Sequence, residues 1–183
     1  MTQLPTVIVL AAGKGERFKA SGGTHDKLNT LLCGQSVRDH VLAAVTASGL
    51  PCHVVERAHT AHLPHPGMGD SIACGVAATA QAHGWLILPA DLPLIQPSTL
   101  LAVARALQEH AVVVPSYQGH NGHPVGFQAA CGPALMQLSG DTGARAVVAA
   151  HPFLPLGLDD EGIVLDVDTV SLLAQAETQM LKM

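Results

Sequence analysis

The sequence predicts an α/β fold in which helices cover both faces of a mostly parallel sheet. Short runs that are apolar at every position alternate with segments whose apolar residues recur at helical spacing. Strands buried on both faces have this continuous apolar character. Of the 183 residues, 48% are hydrophobic but only 3% are aromatic, which favours aliphatic layers over an aromatic-rich β-sandwich. The length suits a single domain over residues 1–183.

The first elements are expected to form a βαβ unit. Thr6–Leu10 is a continuous apolar run and predicts a buried strand. Ser36–Ser48 predicts a helix, because Gly49 can close it and Pro51 cannot continue it. His53–Val55 then predicts a short second strand.

The middle of the chain repeats this alternation of helix and strand. The predicted elements are, in order, helix, strand, helix and strand over Asp70–His83, Trp85–Leu88, Gln96–Gln108 and Ala111–Val114. Gly84 ends the first of these helices, and Pro97 stands in the first turn of the second. We expect Trp85 in the core.

The second half is less regular, beginning with a turn-rich segment over Pro115–Pro124. The elements predicted after it are a strand, two helices, a strand and a helix over Val125–Gln128, Gly132–Leu138, Gly143–Ala150, Ile163–Val167 and Val170–Leu181. In open α/β sheets, ligands bind beyond the carboxyl ends of the strands. The loops after Leu10, Leu88, Val114 and Val167 are therefore expected to converge.

Charge and cysteine usage exclude several classes of protein. The formal charge of −5 argues against a general nucleic-acid surface, which needs many spread cations. No apolar run approaches the roughly 20 residues needed to span a membrane. The N-terminus does not resemble a secretory signal, and the four cysteines form no CxxC pair. We therefore expect a cytoplasmic protein with neither nucleic-acid nor membrane partners.

The stretch from Val7 to Lys27 contains four of the nine lysines and arginines, namely Lys14, Arg17, Lys19 and Lys27. Small residues precede these cations, so backbone N–H groups can approach phosphate oxygens. The sequence is not a P-loop, since no GKS or GKT closes it, and Phe18 stands where a dinucleotide fingerprint needs glycine. A phosphate cradle and an ordinary glycine-rich connection both remain open on this evidence.

Carboxylates follow two of the predicted strands. Asp91 comes directly after a buried strand and lies between prolines; it is a ligand candidate for a hard cation, or alternatively an Asx turn or helix cap. Asp166 and Asp168 alternate along the last predicted strand and should point the same way. Asp168, nearer the strand end, is the better ligand candidate, with capping of the last helix as its alternative role.

Six motifs in order carry a resemblance that covers nearly the whole chain. They are LAAGKGERF with DKL, GMGDSIACG, PADLP, GHPVGF, GDTGAR and DVDT. Together they resemble the molybdenum cofactor nucleotidyltransferases. This resemblance implies a three-layer Rossmann-like sheet of the glycosyltransferase-A-like nucleotidyltransferase type.

The resemblance also implies a set of site residues. The nucleotide would be bound by Leu10, Ala11, Ala12, Gly13, Lys14, Gly15, Arg17, Lys27, Gly67, Met68, Ser71 and Asp91. Arg17, Lys27 and Asp91 would act in catalysis, and Asp91 and Asp168 would bind Mg²⁺ together with the triphosphate. The second substrate would be held by Gly122, His123, Pro124, Gly140, Asp141 and Arg145.

The implied reaction is transfer of a nucleoside monophosphate to the terminal phosphate of the molybdenum cofactor, with release of pyrophosphate. LAAG resembles the cytidylyl-transferring members and LAGG the guanylyl-transferring ones, which favours CTP over GTP. The alternatives are a GTP-using enzyme, a sugar- or alcohol-phosphate nucleotidyltransferase of the same fold, and a non-catalytic carrier of the cofactor. A client molybdoenzyme is a possible partner.

Two histidine-bearing segments leave alternatives open. His59, His62 and His65 could suggest a metal site, but prolines break their spacing and a solvated loop is the expected outcome. His123 could donate to a phosphate or be a loop histidine satisfied by the backbone. The segment before Lys27 is longer than in the family and contains two glycines, so it is expected to close over bound nucleotide.

Overall fold

The computed structural model describes residues 3–24 and 26–183. The strands of the described residues are β1 Thr6–Ala11, β2 Leu31–Leu32, β3 Gln35–Ser36, β4 Cys52–Glu56, β5 Gly84–Pro89, β6 Val112–Tyr117, β7 His120–Asn121, β8 Val125–Gln128 and β9 Phe153–Gly157. The α-helices are α1 Glu16–Ala20, α2 Val37–Ser48, α3 Arg57–Thr60, α4 Met68–Ala78, α5 Pro97–Ala106, α6 Gly132–Met136, α7 Arg145–Ala149 and α8 Val170–Met180. Short 3₁₀ helices cover Lys27–Asn29, Ala129–Cys131 and Glu161–Ile163.

Seven of these strands form one mixed sheet. Its hydrogen-bonded order is β4, β1, β5, β8, β6 and β7, with β9 also paired to β6. β4, β1 and β5 are parallel to one another, β8 is antiparallel to both β5 and β6, and β9 is parallel to β6. Because β8 is antiparallel to both of its neighbours, β6 runs in the same direction as β5 and β1, and β9 runs in that direction too. The prediction of a mostly parallel sheet is therefore confirmed.

The core lies on both faces of this sheet. Along β1, Val7 and Val9 pack into one hydrophobic cluster, while Ile8 between them packs into the other. Helices α2, α5 and α8 contribute to the first cluster, and α4, α6 and α7 to the second. Because both faces are covered, β1 is apolar at consecutive positions, and the expected three layers are observed. Trp85 is 2% exposed, as expected for a core residue.

The helix α2 follows its sequence signals closely. Ser36 caps its N-terminus, since Ser36 Oγ accepts a hydrogen bond from Asp39 N at 3.1 Å. Gly49 ends it in the left-handed region with φ of 73°. Such a φ favours glycine, which explains why the helix stops at Ser48.

Helix α4 covers Met68–Ala78, whereas Asp70–His83 was predicted. It starts earlier because Gly67 is the N-cap, and the Asp70 carboxylate accepts a hydrogen bond from Gly67 N at 2.9 Å. It ends earlier because Thr79 leaves the helix, where its Oγ1 accepts a hydrogen bond from Trp85 Nε1 at 2.9 Å. The helix thus ends at a residue whose hydroxyl bonds both to the last turn, through Gly75 O, and to Trp85 of the sheet.

The predicted strand over Ile163–Val167 is wrong. Glu161–Ile163 is a 3₁₀ helix, and the residues after it form a loop. Ile163, Leu165 and Val167 are buried, which explains the misleading pattern. Their backbone, however, bonds to other loops: Ile163 O accepts from His123 N, and Val167 N donates to Asp91 O.

The strand β9 was not predicted, because Phe153–Gly157 has no continuous apolar run and contains Pro155. It pairs with β6 at the edge of the sheet, where proline is tolerated. β6 also extends three residues beyond its prediction, into the turn-rich segment, and forms a hairpin with β7. Gln118 and Gly119 both have positive φ at this turn. No helix of the described residues is long and apolar enough to cross a membrane.

Candidate active site

Two adjacent parallel strands place the first two parts of the site. Leu10 of β1 pairs with Pro89 of β5, so the loops that follow them leave the same edge of the sheet. Ala90 N donates a hydrogen bond to Leu10 O at 3.0 Å and ties the second loop to the first strand. Asp91 therefore lies beside the start of the cationic loop, which we define as residues 12–24, 26 and 27.

Asp91 meets two further carboxylates that precede α8. One oxygen each of Asp91, Asp166 and Asp168 lies within 4.8 Å of the other two. Val167 N donates to Asp91 O at 2.9 Å, which holds the two loops together. Thr169, not Asp168, caps α8, since Thr169 Oγ1 accepts from Leu172 N. We call these three carboxylates the acidic triad.

Lys27 lies between two members of the acidic triad. Its Nζ is 2.7 Å from Asp91 Oδ2 and 3.0 Å from Asp168 Oδ1, and its side chain is only 13% exposed. The residue begins a 3₁₀ helix whose N-cap is Asp26, with Asp26 Oδ1 accepting from Leu28 N at 3.3 Å. The ammonium group partly neutralises carboxylates that would otherwise repel each other.

Arg17 contacts the same cluster from the solvent side. Its Nη2 is 2.8 Å from Asp168 Oδ2, but its side chain is 79% exposed. Water and salt screen such a pair, so it contributes little to stability. Arg17 can therefore leave Asp168 for an anionic ligand at lower cost than Lys27 can.

The protonation of the cluster follows from its burial and charges. Burial, the hydrogen bond and charge of Asp168 and the charge of Asp91 raise the pKa of Asp166 to about 6. Burial also acts to raise the pKa of Asp168, but hydrogen bonds from Asp166 and Lys27 and the charges of Lys27 and Arg17 outweigh it and lower that pKa. For Lys27, burial acts to lower the pKa, but Asp91 and Asp168 together raise it. Between Asp166 and Asp168, Asp166 is therefore the carboxyl that takes up a proton first.

The raised pKa of Asp166 predicts that its ionised carboxylate lowers the unfolding free energy of the metal-free protein as the pH rises. The folded state binds the Asp166 proton more tightly than the unfolded state, so the resulting stability is complete below pH 3.8 and is lost as the pH rises through about 6. Asp166→Asn keeps the neutral form at every pH. We expect its unfolding temperature to exceed that of the wild type by an amount that grows between about pH 4 and about pH 6 and is constant above.

Thermal unfolding in chelator at several pH values checks this expectation. Asp159→Asn is the matched control, because Asp159 is exposed and lies outside the acidic triad. A difference between Asp166→Asn and the wild type that does not depend on pH would contradict a raised pKa for Asp166.

A cleft of about 580 Å³ opens between the cationic loop, the start of α4 and the acidic triad. Of the residues predicted for the site, those that line it are Leu10, Ala12, Gly13, Lys14, Gly15, Arg17, Lys27, Gly67, Met68, Ser71, Asp91, Asp141 and Asp168. Ala11 is buried in the core and is not among the lining residues. The cleft is large enough for a drug-sized or nucleotide-sized ligand.

Further lining residues were missed by sequence reasoning, namely Glu16, Phe18, Asp26, Leu28, Thr60, His65, Pro66 and Pro89. Asp26 could have been found as an aspartate directly before Lys27, in a position typical of a helix cap. His65 lines the cleft as an exposed side chain. Among residues 3–24 and 26–183, the acidic triad is the group suited to hold a metal ion, and His59, His62 and His65 form none.

The structure divides the residues predicted for the second substrate between two places. Gly122 and His123 follow β7, where Gly122 N donates to Pro115 O and His123 N donates to Ile163 O. His123 Nδ1 is buried with no hydrogen-bond partner among the described residues. Burial lowers the pKa of His123, and the charge of nearby Asp91 offsets part of that effect. Pro124, next in the chain, is buried.

The other three residues lie on the loop before α7. Asp70 Oδ2 accepts hydrogen bonds from both Gly140 N and Gly67 N, each at 2.9 Å, and so ties this loop to the start of α4. Asp141 consequently lines the cleft beside Gly67. Arg145, the first residue of α7, is exposed and is not among the lining residues.

Two curated relatives resemble the chain in sequence. It is 29% identical over 186 residues to the purine catabolism protein PucB of Bacillus subtilis, and the match covers 88% of this chain and 90% of PucB. It is 31% identical over 132 residues to the bifunctional protein GlmU of Halorhodospira halophila, covering 62% of this chain. The chain spans only 27% of that GlmU.

Solved structures share the fold at lower identity. The Rv0371c protein of Mycobacterium tuberculosis, in complex with manganese, superposes with a TM-score of 0.73 at 21% identity and covers 96% of this chain and 98% of its own. The molybdopterin-guanine dinucleotide biosynthesis protein A of Archaeoglobus fulgidus superposes with a TM-score of 0.69 at 14% identity, covering 97% and 100%.

The family model for the MobA-like NTP transferase domain matches residues 7–154. This range contains all of β1 except Thr6, together with the cationic loop, the start of α4 and Asp91, and these parts form most of the cleft. The sheet order, the placement of the cleft beyond the strand ends and this match agree with one another. The chain belongs to the MobA-like NTP transferase family of nucleotidyltransferases.

Proposed function

We propose that the chain is a metal-dependent nucleotidyltransferase that transfers CMP from CTP to the terminal phosphate of the molybdenum cofactor and releases pyrophosphate. The observation that carries this proposal is that the cationic loop lines one cleft together with Asp91 and Asp168 of the acidic triad. Phosphoryl chemistry of this kind needs positioning and charge neutralisation more than a protein nucleophile. The name of the Archaeoglobus fulgidus neighbour supports a pterin acceptor.

The cationic loop would hold the triphosphate. The peptide groups around Gly13 and Gly15 carry little side-chain bulk, and Lys14 and Arg17 add positive charge at the same edge of the cleft. Lys27 would complete this cradle from the side of Asp91. Arg17 and Lys27 would offset the charge that develops on the leaving pyrophosphate.

The acidic triad suits Mg²⁺, which prefers carboxylates together with phosphate oxygens. Asp91 and Asp168 would be the main ligands, with Asp166 beside them. The bound ion would neutralise phosphate charge and orient the triphosphate. A mycobacterial neighbour that shares the fold was solved in complex with manganese, which supports a divalent cation as the cofactor.

The acceptor phosphate would attack the α-phosphorus of CTP in line. A bond forms between the acceptor oxygen and this phosphorus, and the bond to the bridging oxygen of the β-phosphate breaks. Of the six residues implied for the second substrate, Asp141 lines the cleft and would contact the acceptor. Gly122, His123, Pro124, Gly140 and Arg145 lie outside the lining, so they would contact only an acceptor that extends beyond the cleft. The neutral His123 could accept a hydrogen bond or, through its other ring nitrogen, donate one.

Ala12 is expected to favour the smaller base. Its side chain lines the cleft, and the change Ala12→Gly removes one methyl group from the pocket wall. Discrimination by one methyl-sized change is about tenfold or more, so the ratio of GTP to CTP use should rise by at least about tenfold. Competition assays with both nucleotides would measure this ratio. Ala149→Gly in α7 is the control, and an unchanged ratio for Ala12→Gly would remove Ala12 from nucleotide choice.

The test of the proposed function is pyrophosphate release from each NTP with Mg²⁺ and purified molybdenum cofactor. Release with CTP, together with a cytidylylated cofactor detected by mass spectrometry, would support the proposal. Release with GTP instead would keep the reaction but reverse the nucleotide. Binding of cofactor without turnover for any NTP would overturn the enzyme and favour a carrier.

A further inference from the structure

Arg57 contacts both ends of the cationic loop. Its Nε and Nη2 donate to Gly13 O at 3.2 and 2.7 Å, and its Nη2 is 3.3 Å from Asp26 Oδ2. Arg57 is the first residue of α3, directly after β4, so its backbone belongs to the rigid sheet layer. One guanidinium group thus connects a loop of more than ten residues to the sheet at two points.

The contact with Asp26 helps to fix the position of Lys27. Asp26 caps the 3₁₀ helix that begins at Lys27, through Asp26 Oδ1 and Leu28 N. Its other carboxylate oxygen contacts Arg57. The Asp26 side chain is therefore held between Arg57 and the helix, and that helix presents Lys27 Nζ to Asp91 and Asp168.

The contact with Gly13 fixes the orientation of the peptide group between Gly13 and Lys14. The Gly13–Lys14 peptide is trans, so its carbonyl and its N–H point in opposite directions. Among the described residues, Gly13 and Lys14 line the cleft whereas Arg57 does not. Arg57 therefore fixes the plane of a peptide group whose two residues both line the cleft.

We propose that Arg57 is a positioning residue that holds the cationic loop closed before any ligand binds. It preorganises two parts of the cleft at once, the Gly13–Lys14 peptide group and the Lys27 side chain. The effect of this positioning on nucleotide binding rests on the proposed function, but the closure of the loop does not. Arginine suits this role because its planar guanidinium group can donate hydrogen bonds to two acceptors at once. The single ammonium group of lysine does so less well.

The first test measures closure of the loop without any ligand. Limited trypsin digestion can cleave after Lys14, Arg17 and Lys19 only when the loop opens locally. We expect these cleavages to be about threefold faster in Arg57→Gln than in the wild type, because the Arg57 side chain is 49% exposed and water weakens its contacts. Mass spectrometry of the early fragments identifies the sites.

Arg38→Gln is the matched control. Arg38 pairs with Glu56, the residue directly before Arg57, and lies outside the cleft lining of the described residues. Both variants lose one arginine, one ion pair and one tryptic site in the same region. Arg38→Gln should leave the loop cleavages at the wild-type rate. Equal rates in Arg57→Gln and the wild type would overturn the proposal.

The second test measures binding of CTP with Mg²⁺ by calorimetry. Arg57→Gln should weaken binding about tenfold while kcat at saturating CTP stays within about twofold, since preorganisation affects affinity first. Arg57→Lys keeps the charge but not the fork and should resemble Arg57→Gln in both tests. If Arg57→Lys restores both properties, Arg57 acts only as a charge and the proposal is wrong. If the wild type binds no NTP, the proposed function fails, and the digestion result alone decides the role of Arg57.

Discussion

Asp91→Ala is expected to reduce metal-dependent turnover by about a thousandfold, or about 4 kcal/mol in activation free energy. Asp91 follows β5 directly and is the member of the acidic triad nearest to the cationic loop through Lys27. Its loss would remove a ligand of the cation that neutralises phosphate charge. Lys27 keeps Asp168 as a partner, so the variant should remain folded.

Pyrophosphate release at saturating NTP measures this loss, and circular dichroism checks the fold. Asp159→Ala removes one exposed carboxylate outside the cleft and should turn over at the wild-type rate. Activity in Asp91→Ala within about tenfold of the wild type would exclude Asp91 as an essential metal ligand.

Lys27→Met is expected to have the largest effect on stability. It leaves Asp91 and Asp168, with side chains 15% and 11% exposed, without the cation that lies between them. Breaking a mostly buried pair by removing one partner costs about 3 kcal/mol or more. A divalent cation would replace the lost ammonium charge, so millimolar Mn²⁺ or Mg²⁺ should stabilise Lys27→Met more than it stabilises the wild type.

Thermal unfolding with and without metal measures both effects at once. Lys19→Met is the matched control, because Lys19 is an exposed lysine of the same loop that is not among the residues lining the cleft. It should unfold like the wild type and gain no additional stabilisation from metal. If Lys27→Met is as stable as Lys19→Met in chelator, then Lys27 does not hold the carboxylates together.

The elements that local signals specify were predicted well. β1 and β5 are apolar along their length because both faces of the sheet are covered, and that condition is visible in the sequence itself. The helix α2 begins at a serine cap and ends before a glycine with positive φ, both of which are local preferences. Such elements can be predicted without knowing which other elements pack against them.

The wrong predictions concern segments whose partners lie far along the chain. Ile163 and Val167 are buried and alternate like strand residues, yet their backbone bonds to the loops at His123 and Asp91. The strand β9 exists because β6 offers it an open edge, which its own five residues do not reveal. Burial can be inferred from composition, but the backbone partner of a buried segment cannot.

The residues of the site also divide into those that local sequence signals indicated and those that distant contacts bring together. The spacing of glycines and cations in the first loop and the position of Asp91 after a buried strand indicated a phosphate and metal site from the sequence. Three contacts join residues that are separated by long stretches of chain: Lys27 with Asp91, Asp166 with Asp91, and Arg57 with Gly13.

The sequence by itself determined the α/β layering, the strands that carry the site and the residues of its cationic loop. These follow from burial and turn chemistry, which act over a few neighbouring residues. Only the tertiary structure decided that Lys27 lies between Asp91 and Asp168, that Asp166 belongs to the triad and that Arg57 connects both ends of the loop. Charges and hydrogen bonds act across space, so their partners are known only once the sheet has brought the loops together.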